Sequence, residues 1–377
     1  MSLTFKLASR NLFQDRLRFI ATIIGIVFSI ILVTIQLGLF LSFERMVTEM
    51  IGRAPADLWI VPFGTKCFED PSLLDERDRA KALAVSGVTG ITPIVIGFTE
   101  WTVPSGGTTP VFVIGSDGGA EGLHPWNVVE GKPDSLSSPG AVAVDRSYLD
   151  RLGVAKVGDT TEIREQKAQV AEITSGIRSF TTTPYVFTSL AHAQSYVATP
   201  PNRVSYFLVH VAPHADIDAI RQQLLAKLTK VEVLTPDQFR IRSRNFWLFG
   251  TGAGAALFAG ALLGAIVGTV IIAQTLYSST KDHLSEFATL RALGSSNGYI
   301  HKVIIVQALL SAVIGYSLAA VIDLIIVEST AQTSLPIVMN SILMFGLFLL
   351  TVAMCVVSAI AAIVQVLRID PAVAFRQ

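Results

Sequence analysis

The chain has 377 residues, of which 51% are hydrophobic and only 15% are charged. A soluble protein usually carries about 25% charged residues, so a wholly water-soluble chain is excluded and a polytopic membrane protein is expected. The net charge is zero, and we expect no nucleic-acid partner. Cys67 and Cys355 fall in different kinds of segment, so they predict neither a disulfide framework nor a metal site.

The N-terminal 43 residues predict a surface helix followed by a membrane span. Residues 1–18 are basic and place Phe5, Ala8 and Leu12 at helical spacing, which is typical of an amphipathic helix on the inner membrane surface. Residues 19–43 carry no charge and exceed the roughly 20 residues that cross a bilayer. They lack the small-residue cleavage site of a signal peptide, so we expect this span to be retained.

The next 200 residues have the composition of a water-exposed domain. Short apolar runs at 111–114, 141–144 and 206–211 alternate with Gly, Pro and Ser clusters, which indicates β-strands. A helix is predicted over 216–228, where apolar residues recur every three or four positions. We therefore predict an α+β domain, in two lobes.

Three further apolar runs predict membrane spans. The first begins at an aromatic pair, Phe246 and Trp247, and carries glycines every four residues at Gly260, Gly264 and Gly268. Such a ladder lets another helix approach closely in lipid, either within the chain or across a dimer. In the next span the only charged residue is Asp323, for which a hydrogen-bonded structural role is favoured over a proton relay.

A charged segment at 281–294 separates two of these spans. On a helix, Leu284, Phe287 and Ala288 fall on one side, whereas Asp282 and Glu286 share the other. The pattern predicts a docking helix at the membrane surface, with its acidic side free for a partner.

Charge in the short segments predicts the topology. All nine Lys and Arg residues outside the large domain lie in the N-terminal segment, the 281–302 loop and the C-terminal tail, which are therefore expected to be cytoplasmic. The large domain is then periplasmic, and the protein lies in the bacterial inner membrane. The predicted segments are a cytoplasmic amphipathic helix at 1–18, a first span at 19–43, the periplasmic domain at 44–245, a second span at 246–276, the coupling-helix loop at 277–302, a third span at 303–327, a short periplasmic loop at 328–337, a fourth span at 338–367 and a cytoplasmic tail at 368–377.

This arrangement resembles the MacB/FtsX-like permeases, the type VII family of ABC transporter subunits. The resemblance rests on Ala-Ser-Arg-Asn-Leu at 8–12, Asp-Arg-Leu-Arg at 15–18, Glu-Phe-Ala-Thr-Leu-Arg-Ala-Leu-Gly at 286–294 and Arg-Ile-Asp-Pro-Ala-Val-Ala-Phe-Arg at 368–376. Within the domain, residues 126–158 are similar to the family's strand-helix segment. Together these motifs cover most of the chain.

The resemblance implies a homodimer that works with two copies of a cytosolic ATPase, and it implies that ATP-driven motion passes to the external domain. The residues expected to contact the ATPase are Asp282, Glu286, Thr289, Arg291 and Gly294. Pro-Ala-Asp-Leu-Trp at 55–59 resembles the DevC branch, which implies a HlyD-type adaptor and an outer-membrane channel.

The sequence lacks G-x-x-x-x-G-K-[ST], so this chain cannot cradle ATP phosphates by that loop. We therefore expect no catalytic, cofactor-binding or metal-binding residues here, with ATP and Mg²⁺ held by the separate ATPase. The favoured function is a permease subunit for export or efflux of a lipid, glycolipid or other substrate. The alternatives are an FtsX-like scaffold that activates cell-wall hydrolases and a lipoprotein-releasing permease. A signalling receptor is disfavoured because each cytoplasmic segment has only about 20 residues, too few for an output domain.

Overall fold

A computed structural model describes residues 3–70, 72–117, 119–132, 135–282 and 297–367. The chain divides into two compact units. One, here called the membrane unit, comprises Met1–Leu41, Ala255–Ala331 and Pro336–Gln377, and the other, the domain unit, comprises Ser42–Gly254 and Gln332–Leu335.

Ten α-helices can be assigned in the described residues. They are α1 Leu3–Gln14, α2 Arg16–Arg53, α3 Asp78–Leu83, α4 Leu149–Leu152, α5 Leu190–Tyr196, α6 Ile217–Lys227, α7 Pro236–Asn245, α8 Ala253–Asp282, α9 Asn297–Thr330 and α10 Ser341–Leu367. Stretches of four of them, Arg16–Arg53, Ala253–Ser278, His301–Thr330 and Ser341–Val364, are long and apolar enough to cross a membrane. The predicted four-span architecture is therefore confirmed.

The membrane unit has an apolar interior as well as an apolar exterior. Ile26 and Ile30 of α2 pack with Ile272 of α8, Ala308 of α9 and Cys355 of α10 in one buried cluster. Large apolar side chains also cover the outside, as expected of a surface that meets lipid tails rather than water. Examples are Leu262, Leu263, Ile325, Ile342 and Phe345.

The domain unit is built on one large sheet. Its strands are β1 Leu58–Pro62, β2 Leu74–Asp75, β3 Val88–Thr102, β4 Thr108–Ser116, β5 Val128–Gly131, β6 Ala141–Asp145, β7 Thr160–Ile163, β8 Gln166–Thr174, β9 Tyr185–Thr188, β10 Arg203–Val204, β11 Tyr206–Val211 and β12 Val231–Leu234. Ten of them pair in the order β12-β1-β11-β3-β4-β9-β6-β8-β5, with β7 paired to both β3 and β8, and β2 pairs separately with β10.

Strand β7 closes part of this sheet into a ring. The ring runs β3-β4-β9-β6-β8-β7 and back to β3, while β11, β1 and β12 extend from β3 as an open sheet. The predicted α+β class is confirmed. The division into two lobes stays a prediction; β3 is shared by the ring and the open sheet, so the sheet is continuous through both.

Several strands of the sheet, among them β1, β6 and β9, are buried on both faces, which explains the uninterrupted apolar runs in the sequence. In β11, Phe207 and Val209 join one core cluster, whereas Tyr206 and Leu208 join the other. Successive residues of a strand point to opposite faces, so a strand buried on both sides has no polar alternation.

Helices α6 and α7 of the domain unit begin at clear capping signals. Asp216 precedes α6 and accepts hydrogen bonds from the backbone N–H groups of Asp218 and Ala219. Before α7, Thr235 and Gln238 form a capping box, and Pro236 occupies the first turn. Each cap satisfies N–H groups that the helix leaves without partners.

Two helix boundaries differ from the predicted ones. Helix α2 extends to Arg53, ten residues past residue 43, where the uncharged run ends. The helix continues because the side chains of Met46, Val47, Met50 and Ile51 remain buried. The second membrane helix begins at Ala253, whereas the sequence pattern predicts a start at 246, because a π-helical turn and Gly252 at φ +78° precede it.

We predict that residues 46–243, expressed without the membrane helices, fold in water. The reason is that the two buried clusters of this domain are built largely from its own strands and helices. Circular dichroism should show a mixed α/β spectrum with cooperative thermal unfolding. A spectrum of unfolded chain would contradict the domain boundary.

Candidate force-transmission site

The end of α2 is joined to α7 inside the domain unit. The Ser243 hydroxyl donates to the carbonyl of Val47 at 3.1 Å, and Arg244 forms an ion pair with Glu44 at 3.1 Å. One turn earlier on α7, the buried Phe239 lies in the same cluster as Met50 and Ile51 of α2. These contacts hold the C-terminal end of α2 beside α7, the last helix of the domain unit.

The two helices differ in how they continue toward the membrane. Helix α2 is one unbroken element of 38 residues, which corresponds to a length of about 57 Å. Helix α7 instead ends in the π-helical turn Phe246–Gly250, and Gly252 adopts a left-handed conformation before α8 starts. A π-turn and a glycine of this kind interrupt the hydrogen-bond ladder, so this connection is expected to bend more readily than α2.

Aromatic side chains cluster beside this interruption. The ring of Trp247 lies 4.3 Å from that of Phe180, and Phe180 lies 4.9 Å from Phe43 of α2. Phe43 is the last residue of the 25-residue uncharged run, and Glu44 is the first charged residue after it. Aromatic rings prefer the boundary between lipid and water, so we expect that boundary near this cluster.

A buried carboxyl group lies against the same tryptophan. Glu69 is 8% exposed and accepts hydrogen bonds from the Trp247 indole N–H at 2.9 Å and from the Tyr185 hydroxyl at 3.2 Å. Burial raises the pKa of Glu69, and these hydrogen bonds oppose the rise in part. Burial likewise raises the pKa of the neighbouring Cys67 thiol to about 12.

We predict that Glu69 makes the protein less stable as the pH rises. Its folded-state pKa is above the ordinary 4.5, so the folded protein holds a proton that the unfolded chain has already lost at intermediate pH. The contribution of Glu69 to stability is therefore fully present below pH 4.5 and is lost as the pH rises through the folded-state pKa.

Glu69→Gln should remove this decline, because an amide stays neutral while still accepting from Trp247. Thermal unfolding of the full chain in detergent at several pH values measures the difference. Parallel pH profiles for wild type and variant would show that Glu69 does not titrate in this way.

The predicted glycine ladder packs within the chain, on α2. A Cβ added at Gly260 would meet the Gln36 amide at 2.9 Å, and one at Gly264 would meet Leu32 and Val33 at 3.2 Å. Gly268 lies closest, against the side chain of Ser29. Of the two packing alternatives open from the sequence, the described structure therefore places these glycines at a contact between α8 and α2.

Two more glycines form close contacts between α2 and its neighbours, and neither is part of a ladder of glycines in the sequence. A Cβ at Gly25 would meet Ile271 of α8 at 2.6 Å, and one at Gly315 of α9 would meet Ile26 at 2.5 Å. Neither glycine is followed or preceded by another at four-residue spacing, so only the structure reveals its partner. Helix α2 is thus in tight contact with both α8 and α9.

Asp323 joins α9 to α2 by a hydrogen bond. Its carboxyl group is 2% exposed and accepts from the Thr34 hydroxyl at 2.8 Å. A buried polar contact of this kind holds two membrane helices in a defined register. The geometry agrees with the structural role favoured from the sequence.

The predicted ATPase contacts fall mostly outside the described residues. Helix α8 continues through Lys281 and ends at Asp282. Glu286, Thr289, Arg291 and Gly294 lie in 283–296, and the C-terminal motif lies in 368–377, both outside the described residues. The role of these positions remains a prediction.

Four membrane-length helices, with an α+β domain inserted after the first of them, define a multi-pass membrane protein of the permease class. Two family models match this chain. The MacB-like periplasmic core domain matches residues 19–227, and the FtsX-like permease C-terminal region matches residues 256–371. The chain therefore belongs to the MacB/FtsX-like family of ABC transporter permeases, a membership that implies association with an ABC ATPase.

Two of the solved structures with detectable similarity are periplasmic or extracellular regions of transporters. The periplasmic region of MacB from Actinobacillus actinomycetemcomitans is 13% identical, with a TM-score of 0.39, and the match covers 53% of this chain and 98% of that one. The extracellular domain of the noncanonic ABC-type transporter YknZ from Gram-positive bacteria is 14% identical, with a TM-score of 0.37. This match covers 48% of the present chain and 99% of the YknZ domain. A search of curated protein sequences gave no match.

Proposed function

We propose that this chain is the permease subunit of an exporter in which a separate cytosolic ATPase moves the inserted domain. The observation that carries the proposal is α2, a single helix that runs from the membrane-spanning segment into the core of the domain. A continuous helix transmits displacement along its axis without a soft joint. The close contacts of Gly25, Gly264 and Gly268 then make α2 move with α8.

The interruption between α7 and α8 gives the second connection a different role. If α2 shifts along its axis, the domain follows. The π-turn and Gly252 then bend, so that the connection between α7 and α8 accommodates this movement. The ion pair between Glu44 and Arg244 keeps the two connections together at the domain end. The geometry therefore favours tilting of the domain driven through α2.

The proposed assembly is a homodimer of this chain with two ATPase subunits, which hold ATP and Mg²⁺. The termini and the 281–302 loop face the cytoplasm, as the distribution of Lys and Arg supports, and the domain faces the periplasm. The cargo is a lipid, a glycolipid or another substrate. A HlyD-type adaptor and an outer-membrane channel are further partners of the permease in this proposal.

Glu286→Lys tests the contact with the ATPase. Reversing one charge in an interface often costs about 1 to 3 kcal/mol, roughly ten- to a hundredfold in affinity. We expect the variant to insert normally and to bind the ATPase at least tenfold more weakly, with a matching loss of ATP-driven export.

The matched control is Glu328→Lys. It makes the same charge change at an exposed position near the end of α9, on the opposite side of the membrane in the proposed topology. Wild-type ATPase binding and export in this control, with loss in Glu286→Lys, supports the proposal. Full binding and export in Glu286→Lys would remove the 281–294 segment from the coupling path.

A further inference from the structure

A cleft of about 330 Å³ opens beside the interruption between α7 and α8. Phe98, Phe246 and Trp247 form its aromatic lining. The other lining residues are the exposed Lys66 and Thr181, the buried Cys67 and Glu69, and Asp70, whose carboxylate accepts a hydrogen bond from the Lys66 backbone N–H at 3.4 Å. Small-molecule sites start at roughly this volume and combine mainly apolar walls with a few placed polar groups. The cleft is thus large enough for a hydrocarbon chain.

Its buried acidic residue does not oppose an apolar occupant. Both carboxyl oxygens of Glu69 already take hydrogen bonds, from Tyr185 and Trp247. Within the part of the chain that the structure describes, Glu69 forms no ion pair with Lys or Arg. A cationic ligand is not required to satisfy it.

The position of the cleft along the chain points to the occupant. Trp247 stands six residues before the start of α8 and packs, through Phe180, with Phe43 at the end of the uncharged run of α2. Aromatic residues are enriched at the boundary between lipid and water, so we expect the cleft beside that boundary, within reach of the acyl chains of the adjacent leaflet.

We propose that this cleft holds one acyl chain of a bilayer phospholipid from the leaflet next to the domain, with the lipid phosphate at Lys66. The aromatic walls supply the apolar contact, and the ammonium group of Lys66 supplies an attraction for the phosphate. A lipid seated here touches Trp247 on the interrupted connection and Phe98 on β3, so it links the bilayer to the sheet. Binding needs no ATP and no ATPase, so its test is separate from that of the proposed export.

Thr181→Phe tests the site by filling the cleft. The matched control is Leu262→Phe, which adds aromatic bulk to an exposed position on α8. The full chain is reconstituted with phosphatidylcholine, washed extensively in detergent and assayed for retained phospholipid phosphorus per chain. We expect wild type and Leu262→Phe to retain the lipid and Thr181→Phe to retain at least tenfold less.

A second variant keeps the test decisive if Thr181→Phe does not fold. Lys66→Glu changes an exposed side chain and should weaken retention about tenfold through repulsion of the phosphate. Equal retention in Lys66→Glu and wild type would overturn the phosphate assignment. Equal retention of phospholipid by wild type and a folded Thr181→Phe variant would overturn the phospholipid site. Recovery of a phosphorus-free amphiphile instead of phospholipid from the wild-type protein would overturn it as well.

Discussion

Gly268→Leu should prevent the membrane unit from reaching its native packing. A Cβ at this position already meets the side chain of Ser29 and lies 2.6 Å from the terminal methyl group of Met354. Met354 is flexible, but the Cβ of Ser29 is fixed to the backbone of α2, so the helices must separate. Overpacking of this kind usually costs about 1 to 3 kcal/mol, and here the rest of the leucine side chain adds to it.

A series of glycine substitutions makes this prediction quantitative. Gly264→Leu should cost less than Gly268→Leu, because its Cβ meets Leu32 and Val33 at 3.2 Å, where small shifts suffice. Gly346→Leu on α10 is the matched control, since a Cβ there meets nothing within 4 Å. Thermal stability in detergent should follow the order Gly346→Leu, Gly264→Leu, Gly268→Leu, from most to least stable. Equal stability across the series would contradict tight packing of α8 on α2.

Much of the architecture follows from sequence patterns alone. Uncharged runs of membrane length predict the four spans because burying charge in lipid is costly. The glycines at 260, 264 and 268 predict a close helix contact, which the structure places on α2. The apolar spacing over 216–228 likewise predicts a helix, which the structure shows at Ile217–Lys227.

Other features depend on contacts that no local pattern encodes. The closure of the strand ring requires β7 to pair with both β3 and β8, which lie far apart in the order of the sheet. The extension of α2 past Glu44 depends on the apolar core that receives Met50 and Ile51. The hydrogen bonds to Glu69 join residues more than 100 positions apart, so this site is invisible to sequence periodicity.

Thr48→Pro should uncouple the membrane helices from the domain. Proline inside a helix removes one hydrogen bond and clashes with the carbonyl four residues earlier, at a cost of roughly 3 kcal/mol. Thr48 lies in the part of α2 that pairs with α7, immediately after Val47, the acceptor for Ser243. A kink here introduces a soft joint between the membrane-spanning segment and the domain.

The matched control places proline where the helix has already been interrupted. Ala253 is the first residue of α8, directly after Gly252, and the first turn of a helix accepts proline well. Ala253→Pro should therefore leave export close to the wild-type level. Circular dichroism and the oligomeric state should be close to wild type in both variants, which separates loss of coupling from loss of folding.

The most direct test of force transmission through α2 is the amount of cargo exported per ATP hydrolysed. It is measured in vesicles that contain the permease with its ATPase. The account predicts that Thr48→Pro keeps ATPase binding and ATP turnover while export per ATP falls at least tenfold, and that Ala253→Pro matches wild type. An unchanged ratio in a Thr48→Pro protein that is folded and assembled would contradict the claim that α2 carries the movement.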